Sequence, residues 1–198
     1  MKKDKNNTMS KTGREKFNKY KRVINIFTSV VSVFPLAVRK WLFFHGRMYQ
    51  GNIGLVYRYI LFKTLAKECG DNVAIFPGVY MENIDKISVG NNVSIHGMCY
   101  LDGEGRITIG NNVSIAHRTT IVSSTHTYKE KNIPIKYQKT VAKPVEIKDD
   151  CWIGCSVSIL AGITVGSGSV IGANSVVTKS VPSNVVVAGN PARVIKER

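Results

Sequence analysis

Aliphatic side chains recur at every sixth position in the second half of the chain. The positions are Ile147, Ile153, Ile159, Val165, Ile171 and Val177. Small or aliphatic residues stand four positions after the first five of them, at Cys151, Val157, Ile163, Ser169 and Ser175. A period of six fits neither an α-helix nor an alternating strand. It predicts a chain that turns a corner every six residues, with three corners in each coil of 18 residues.

The same frame is present upstream in three triplets of positions. They are Cys69, Ile75 and Met81, then Val89, Ile95 and Leu101, then Ile109, Ile115 and Ile121. From the last position of one triplet to the first position of the next, the step is eight residues instead of six. Two extra residues therefore enter at the same corner each time. The fifteen hexad starts predict a mainly β fold, a parallel β-helix of about five coils with aliphatic side chains inside. Glycine and asparagine at corners such as 89–92 and 109–112 tolerate positive φ.

Residues 122–146 leave this frame and are polar and basic. A long excursion from a regular solenoid is usually functional, and His126 lies at its base. We therefore divide the chain into a basic N-terminal segment with amphipathic helices (1–68), a β-helix with an extruded loop (69–180) and a C-terminal cap (181–198).

The N-terminal segment contains an apolar run, Val23–Val38, which is shorter than the roughly 20 residues a membrane-spanning helix needs. On a helix, the polar residues of this run form one narrow stripe: Asn25, Thr28, Ser29 and Ser32. The opposite side is apolar: Val23, Ile26, Phe27, Val30 and Phe34. Pro35 interrupts the pattern. The helix fits either a lipid surface or packing on its own domain or a neighbouring subunit. A signal peptide is disfavoured because no small-residue cleavage site follows.

The net charge of +15 is concentrated in residues 1–68, which hold 15 Lys and Arg against 3 Asp and Glu. A basic leader can bind anionic lipid or nucleic acid, or it can be solvated. No nucleic-acid-binding motif accompanies it, so we expect no nucleic acid partner. The four cysteines have no CxxC or zinc-ligand spacing, which favours reduced thiols and no metal: Cys69, Cys99, Cys151 and Cys155.

The hexad repeat and the run CWIGCSVSILAGITVGSGSVIGANSVVTKSVPSNVVVAGNPARVI (151–195) resemble the hexapeptide-repeat acyltransferases. Within that family they resemble the sugar O-acetyltransferase branch, which includes galactoside, maltose and capsule or exopolysaccharide acetyltransferases. The resemblance covers residues 69–195. It implies a left-handed β-helix, a homotrimer and acetyl-CoA as the acyl donor.

The string TIGNNVSIAHRTTIVSSTHT (108–127) resembles the family through His126. The resemblance implies that His126 is the general base, carried to a cleft between subunits. Imidazole suits this task because its ordinary pKa lies near neutral pH. The backbone N–H of Cys155 would bind the oxyanion of a direct ternary-complex reaction; Cys155 as a nucleophile is disfavoured because no base partner is evident. Many capsule-type relatives carry Asp after the histidine, where this chain has Thr127.

The remaining site residues also follow from the resemblance. Trp152 and Gly154 match residues beside the pantetheine arm, Ala173 matches a backbone contact, and Thr178, Lys179 and Arg193 match residues near the nucleotide and its phosphates. On the acceptor side, His96 stands at a sugar-contacting position, and the corner with Asp102 and Glu104 can bind sugar hydroxyls or be a solvated turn.

These features predict an O-acetyltransferase that acts on a sugar hydroxyl of a polysaccharide or lipid-linked oligosaccharide. We expect it in the cytoplasm, with peripheral contact to the inner face of the membrane as one option. One alternative is acetylation of a small molecule such as a xenobiotic, a free sugar or an amino acid. A zinc enzyme like the γ-carbonic anhydrases is disfavoured, because the histidines of this chain do not have the zinc-ligand spacing of that family: His96, His117 and His126. A third alternative is a non-catalytic trimeric scaffold.

Overall fold

The computed structural model describes residues 13–198, so the predicted N-terminal segment is described from residue 13 onward. Three α-helices come first: α1 (Gly13–Ser32), α2 (Leu36–His45) and α3 (Gly51–Leu65). The strands are numbered in chain order. Sheet A contains β1 (Glu68–Cys69), β4 (Ile87–Val89), β7 (Ile107–Ile109), β12 (Val145–Ile147) and β15 (Thr164–Val165). Sheet B contains β2 (Ala74–Ile75), β5 (Ser94–Ile95), β8 (Ser114–Ile115), β13 (Trp152–Ile153), β16 (Val170–Ile171), β18 (Val185–Ala188) and β19 (Arg193–Glu197). Sheet C contains β3 (Tyr80–Glu82), β6 (Tyr100–Asp102), β9 (Thr120–Val122), β14 (Ser158–Ile159) and β17 (Val176–Val177). The hairpin strands β10 (Ser124–His126) and β11 (Thr140–Ala142) form a sheet of their own.

Each coil contributes one short strand to each of sheets A, B and C, and strands of successive coils pair in parallel. Ile95, for example, is in register with Ile75 of the coil before it and Ile115 of the coil after it. The predicted parallel β-helix is therefore confirmed, with aliphatic hexad starts inside. One such column contains Ile75, Ile95, Ile115, Ile153 and Ile171, all fully buried.

The β-helix continues beyond the five predicted coils into a partial sixth. Val181 forms a parallel bridge with Val165, and β18 pairs in parallel with β16. Val187 is in register with Ile171, a step of 16 residues where the other coils take 18 or more. This shorter coil breaks the six-residue frame, which is why the sequence period ends before the fold does. The last strand, β19, then turns back antiparallel to β18.

Asparagine and glycine have different tasks at the corners. The sequence predicted that glycine and asparagine at these corners tolerate positive φ. Asn92 and Asn112 do have positive φ (57° and 56°). Gly90 does not; a Cβ there would lie 2.9 Å from backbone atoms of Gly110 in the next coil. The asparagine therefore makes the turn, and the glycine lets the coils stack closely.

The helices close the first coil. Both α1 and α2 pack on α3, through the ring pairs Phe17–Tyr59 (centroids 5.4 Å apart) and Phe43–Phe62 (6.5 Å). The fully buried Arg58 of α3 donates from Nε to the carbonyl oxygen of Ile75 (2.7 Å). That carbonyl belongs to the first strand of sheet B, so the arginine satisfies an acceptor at the open end of the sheet. No helix within residues 13–198 is long and apolar enough to cross a membrane.

Candidate active site

All extra residues of the early coils enter at one corner, between sheets C and A, which we call the insertion corner. After β3 the chain makes a 3-10 turn, Ile84–Lys86. After β6 it makes a tight turn in which the Arg106 N–H donates to the Gly103 carbonyl oxygen (2.8 Å). After β9 the predicted long excursion leaves the β-helix at the same corner and returns at β12.

Hydrogen bonds to the coil below fix both ends of this excursion. The buried Ser123 hydroxyl donates to the Asp102 carbonyl oxygen (2.6 Å) and accepts from the Gly105 N–H (2.8 Å). The returning chain joins at the same point, because the Lys143 N–H donates to the Ser123 carbonyl oxygen (2.8 Å). A Cβ on Gly105 would lie under 3.0 Å from backbone atoms of both Ser123 and Lys143. The base of the excursion is thus tightly packed.

The Asp102 carboxylate is only 9% exposed and accepts three hydrogen bonds from the protein. Its Oδ1 accepts from the Asn83 side chain (3.2 Å) and the Glu104 N–H (3.0 Å), and its Oδ2 accepts from the Ser124 hydroxyl (2.8 Å). Asp102 therefore orders the strand that carries His126. Contact of Asp102 with an acceptor stays a prediction, as does that of Glu104, which is exposed and pairs with Lys86 (3.4 Å).

The excursion begins with an antiparallel hairpin that presents His126 to solvent. His126 is the last residue of β10, opposite Thr140 in β11, and is exposed. The next residue, Thr127, donates from both its N–H and its hydroxyl to the carbonyl oxygen of Lys139 (2.9 and 3.1 Å). Thr127 thus extends the hairpin by one more pair. The hairpin pairing fixes the backbone of His126, and its imidazole is exposed and accessible to ligands.

The predicted donor residues near the pantetheine arm lie at another corner, between sheets B and C, which we call the donor corner. Cys155 occupies this corner in one coil and Ala173 in the next, with the Asn174 N–H donating to the Cys155 carbonyl oxygen (2.9 Å). Within the described chain the Cys155 N–H has no hydrogen-bond acceptor, so it can donate to a ligand. Trp152 is 57% exposed on the adjoining face of sheet B.

Gly154 at the donor corner has a role in coil stacking. A Cβ there would lie 2.6 Å from the Ala173 nitrogen and 2.8 Å from the Ile171 carbonyl oxygen. The glycine is therefore needed for the next coil to approach, whether or not a ligand also uses the space. Its carbonyl oxygen accepts from the buried Thr119 hydroxyl (2.9 Å).

The other predicted donor residues are distributed over two places. Thr178 and Lys179 follow β17 and are exposed at the insertion corner, two coils above the excursion. Arg193 begins β19 at the end of sheet B, and its side chain donates to the carbonyl oxygen of Ala192 (2.8 Å). Within one chain, Trp152 and Cys155 therefore lie at the donor corner, whereas Lys179 lies at the insertion corner.

His96 lies near the donor corner, away from Asp102 and Glu104. Its ring stacks on Phe76 with centroids 4.4 Å apart and an interplanar angle of 6°. Burial lowers the pKa of His96 below its usual value, and the neighbouring His117 lowers it further. A search of residues 13–198 finds no group of three or more His, Cys, Asp or Glu that could hold a metal ion.

Sequence reasoning missed the residues that anchor the excursion, namely Asn83, Gly105, Ser123 and Ser124. Asn83 takes positive φ (50°) just after β3. Its place at the insertion corner, where the frame gains two residues, is the one sequence signal that could have indicated it.

A family model for bacterial transferase hexapeptides (six repeats) matches residues 144–179. WcaF of Escherichia coli strain K12, which carries a provisional assignment as a colanic acid biosynthesis acetyltransferase, is 31% identical over 165 residues, or 82% of this chain and 88% of WcaF. The chain therefore belongs to the family of hexapeptide-repeat acetyltransferases.

Solved structures agree with this assignment. The hexapeptide-repeat acetyltransferase VCA0836 of Vibrio cholerae has a TM-score of 0.70 and 28% identity, covering 88% of this chain and 92% of its own. The same protein has also been solved with acetyl coenzyme A, with a TM-score of 0.61 and 26% identity, covering 80% and 84%. A galactoside acetyltransferase in complex with coenzyme A has a TM-score of 0.69 and 29% identity, covering 96% of this chain and 84% of its own.

Proposed function

We propose that this protein is an acetyl-CoA-dependent O-acetyltransferase that modifies a sugar hydroxyl of a polysaccharide or lipid-linked oligosaccharide, with His126 as the general base. The observation that carries the proposal is the anchored hairpin, which holds an exposed imidazole just outside the β-helix. The donor follows from the relatives solved with coenzyme A and acetyl-CoA. The acceptor class follows from the galactoside acetyltransferase and from WcaF.

The separation of the two corners supports a site built from two subunits. Neighbouring corners are one hexad apart, about 20 Å for six extended residues. His126 is only three residues from the fixed Ser123, a reach of about 11 Å. We therefore propose a homotrimer in which the insertion corner of one subunit, with His126 and Lys179, faces the donor corner of the next, with Trp152 and Cys155.

The proposed chemistry needs one base and one backbone donor. His126 accepts the proton of the sugar hydroxyl as its oxygen attacks the thioester carbonyl carbon. The negative charge on the carbonyl oxygen is stabilised by the Cys155 N–H of the adjacent subunit. When the carbon–sulfur bond breaks, the imidazolium returns the proton to the leaving thiolate. No covalent bond to the enzyme is formed.

His126→Ala tests the catalytic assignment. We expect acetyl transfer to fall by about 10²–10⁴-fold, while acetyl-CoA still raises the melting temperature. His45→Ala removes another exposed imidazole, at the end of α2, and should leave transfer unchanged. Full activity of His126→Ala would refute the role of this residue, and no thermal shift of the parent protein at saturating acetyl-CoA would favour the scaffold.

Cys155→Ala separates the backbone role from thiol chemistry. The variant keeps the N–H donor, so we expect most of the activity to remain. A loss as large as that of His126→Ala would instead indicate a covalent thioester intermediate on Cys155.

Two further proposals concern the acceptor and the compartment. A screen of polysaccharide, lipid-linked and small-molecule acceptors would distinguish the glycan substrate from a small one. The four cysteines are all free thiols, and two of them, Cys99 and Cys151, are buried. Free thiols fit a reducing compartment, and we propose the cytoplasm, where acetyl-CoA is available.

A further inference from the structure

The helix α1 is apolar over a wide arc of its surface, and only part of that arc is covered. The inner side, which includes Phe17, Ile24 and Val31, packs against the rest of the protein. The outer side exposes four large apolar residues, Val23, Ile26, Phe27 and Val30, whose spacing places them on one face of the helix. The turn after the helix exposes two more, Val33 (84%) and Phe34 (48%). The covered part of the helix packs on its own domain, which is one of the two predicted uses. The exposed part remains available for the other, contact with a lipid surface.

The next helix continues the exposed apolar surface. Pro35 joins α1 to α2, and α2 exposes Leu36, Val38 and Trp41 at between 40% and 58%. We call the four residues of α1, Val33 and Phe34 of the turn, and these three residues of α2 the helical outer face. Exposed large apolar residues clustered on neighbouring elements are typical of a binding surface.

Most charges around the helical outer face are positive, and Glu15 in the first turn of α1 is the acidic residue of this region. From Lys16 to Ala66 the chain holds nine Lys and Arg and no Asp or Glu. Lys16 and Lys19 precede Val23 by seven and four residues, so they lie on the same side of α1 as the apolar residues. Both are exposed, as is Arg22 at the edge of that face.

We propose that the helical outer face docks on the surface of an anionic lipid bilayer, with α1 and α2 lying in the plane of the interface. An exposed apolar face with flanking cations and an aromatic residue such as Trp41 is the pattern of interfacial helices. The exposed polar stripe of α1, including Asn25 and Ser29, keeps the opposite edge in water. Cations near the surface of an anionic leaflet add attraction.

The basic residues around the helical outer face disfavour a two-fold contact of this face with the same face of a second copy. A two-fold contact would bring the same basic surface against itself and place like charges together. An anionic bilayer complements both the apolar and the basic parts. The inference goes beyond the proposed function, because lipid binding needs neither acetyl-CoA nor His126.

The test is co-sedimentation of the full-length protein with vesicles, without substrates. We expect binding to phosphatidylcholine vesicles that contain phosphatidylglycerol, weaker binding to pure phosphatidylcholine, and loss of the difference in about 0.5 M salt. Ile26→Glu with Val30→Glu should weaken binding by about 30-fold or more. The matched pair Asn25→Glu with Ser29→Glu adds the same charge on the polar stripe and should weaken it only a few-fold.

Circular dichroism and thermal melting of each variant verify that it folds, which is expected because all four positions are exposed. The proposal is overturned if the parent protein does not bind anionic vesicles, or if the two pairs of substitutions weaken binding equally. It is also overturned if Ile26→Glu with Val30→Glu changes the mass in solution and leaves vesicle binding intact, which would assign the face to a second copy.

Discussion

The coils of the β-helix and the excursion at residues 123–144 are held together in opposite ways. In the coils, the inward hexad positions from Val89 to Val177 are aliphatic and buried, and the parallel strands repeat the same register from one coil to the next. The excursion depends on a few polar contacts at its base, centred on Ser123 and Asp102, and presents an exposed histidine. Stability and the candidate chemistry therefore reside in different parts of the chain, and substitutions should separate them.

The largest expected effect on stability comes from the core of the coils. Ile153 is fully buried between Ile115 and Ile171 of the adjacent coils. Ile153→Ala removes buried methyl groups and leaves a cavity, so we expect the free energy of unfolding to fall by about 2–5 kcal/mol. Urea denaturation measures this change, and kcat/KM per folded molecule should stay nearly unchanged. A large loss of activity in fully folded protein would contradict the separation.

Gly105→Ala should lower activity as well as stability. Its Cβ would push on the backbone of both ends of the excursion, at Ser123 and Lys143, and displace the hairpin. A misplacement of about 1 Å can cost about 10²-fold in rate, so we expect kcat/KM to fall by roughly 10- to 100-fold. Steady-state kinetics and thermal melting measure the two effects.

Gly90→Ala is the matched control for this glycine. Its Cβ would lie 2.9 Å from backbone atoms of Gly110, a milder clash than at Gly105, and at a corner without the excursion. It should lower the melting temperature and leave the kinetics of the folded protein unchanged. Equal losses of activity in both variants would show that the hairpin is not specifically affected.

Asp102→Asn should produce a smaller change. In the parent protein the buried Asp102 carboxylate accepts three hydrogen bonds. The amide of the variant replaces one acceptor oxygen with an NH2 group, so we expect the free energy of unfolding to fall by about 1–2 kcal/mol. Because Ser124 would lose its fixed partner, we also expect a several-fold fall in kcat/KM. Asp149→Asn is the control: its carboxylate caps Asn111 at an exposed corner away from the hairpin. An effect of Asp149→Asn on kinetics as large as that of Asp102→Asn would argue against a positioning role.

The smallest effect concerns pH. Burial, with a contribution from His117, lowers the pKa of His96 in the folded protein, so between that pKa and about 6.5 the unfolded chain binds more protons. Stability should therefore rise with pH through this window and fall on acidification. NMR titration measures the pKa, which His117→Asn should raise, and His96→Gln should flatten this part of the stability profile. An unchanged profile in His96→Gln would assign the pH dependence to another group.

The sequence by itself determined the coils, because an aliphatic residue at every sixth position has one way to become buried. It also located the corner of insertion, since the frame gained residues there each time, and it identified the family through the string at 151–195. The apolar and polar sides of α1 could be read from helical spacing, but which side would be covered could not.

Tertiary structure alone decided the rest. The anchor of the hairpin joins Ser123 to Asp102 and Gly105, residues about one coil apart, and no local pattern encodes such a contact. The partial sixth coil depends on pairing with sheet B after the frame is lost. The distribution of His126 and Cys155 over two corners follows from how coils stack. A sequence period fixes which side chains point inward, whereas contacts between coils and along corners form only when the whole β-helix is assembled.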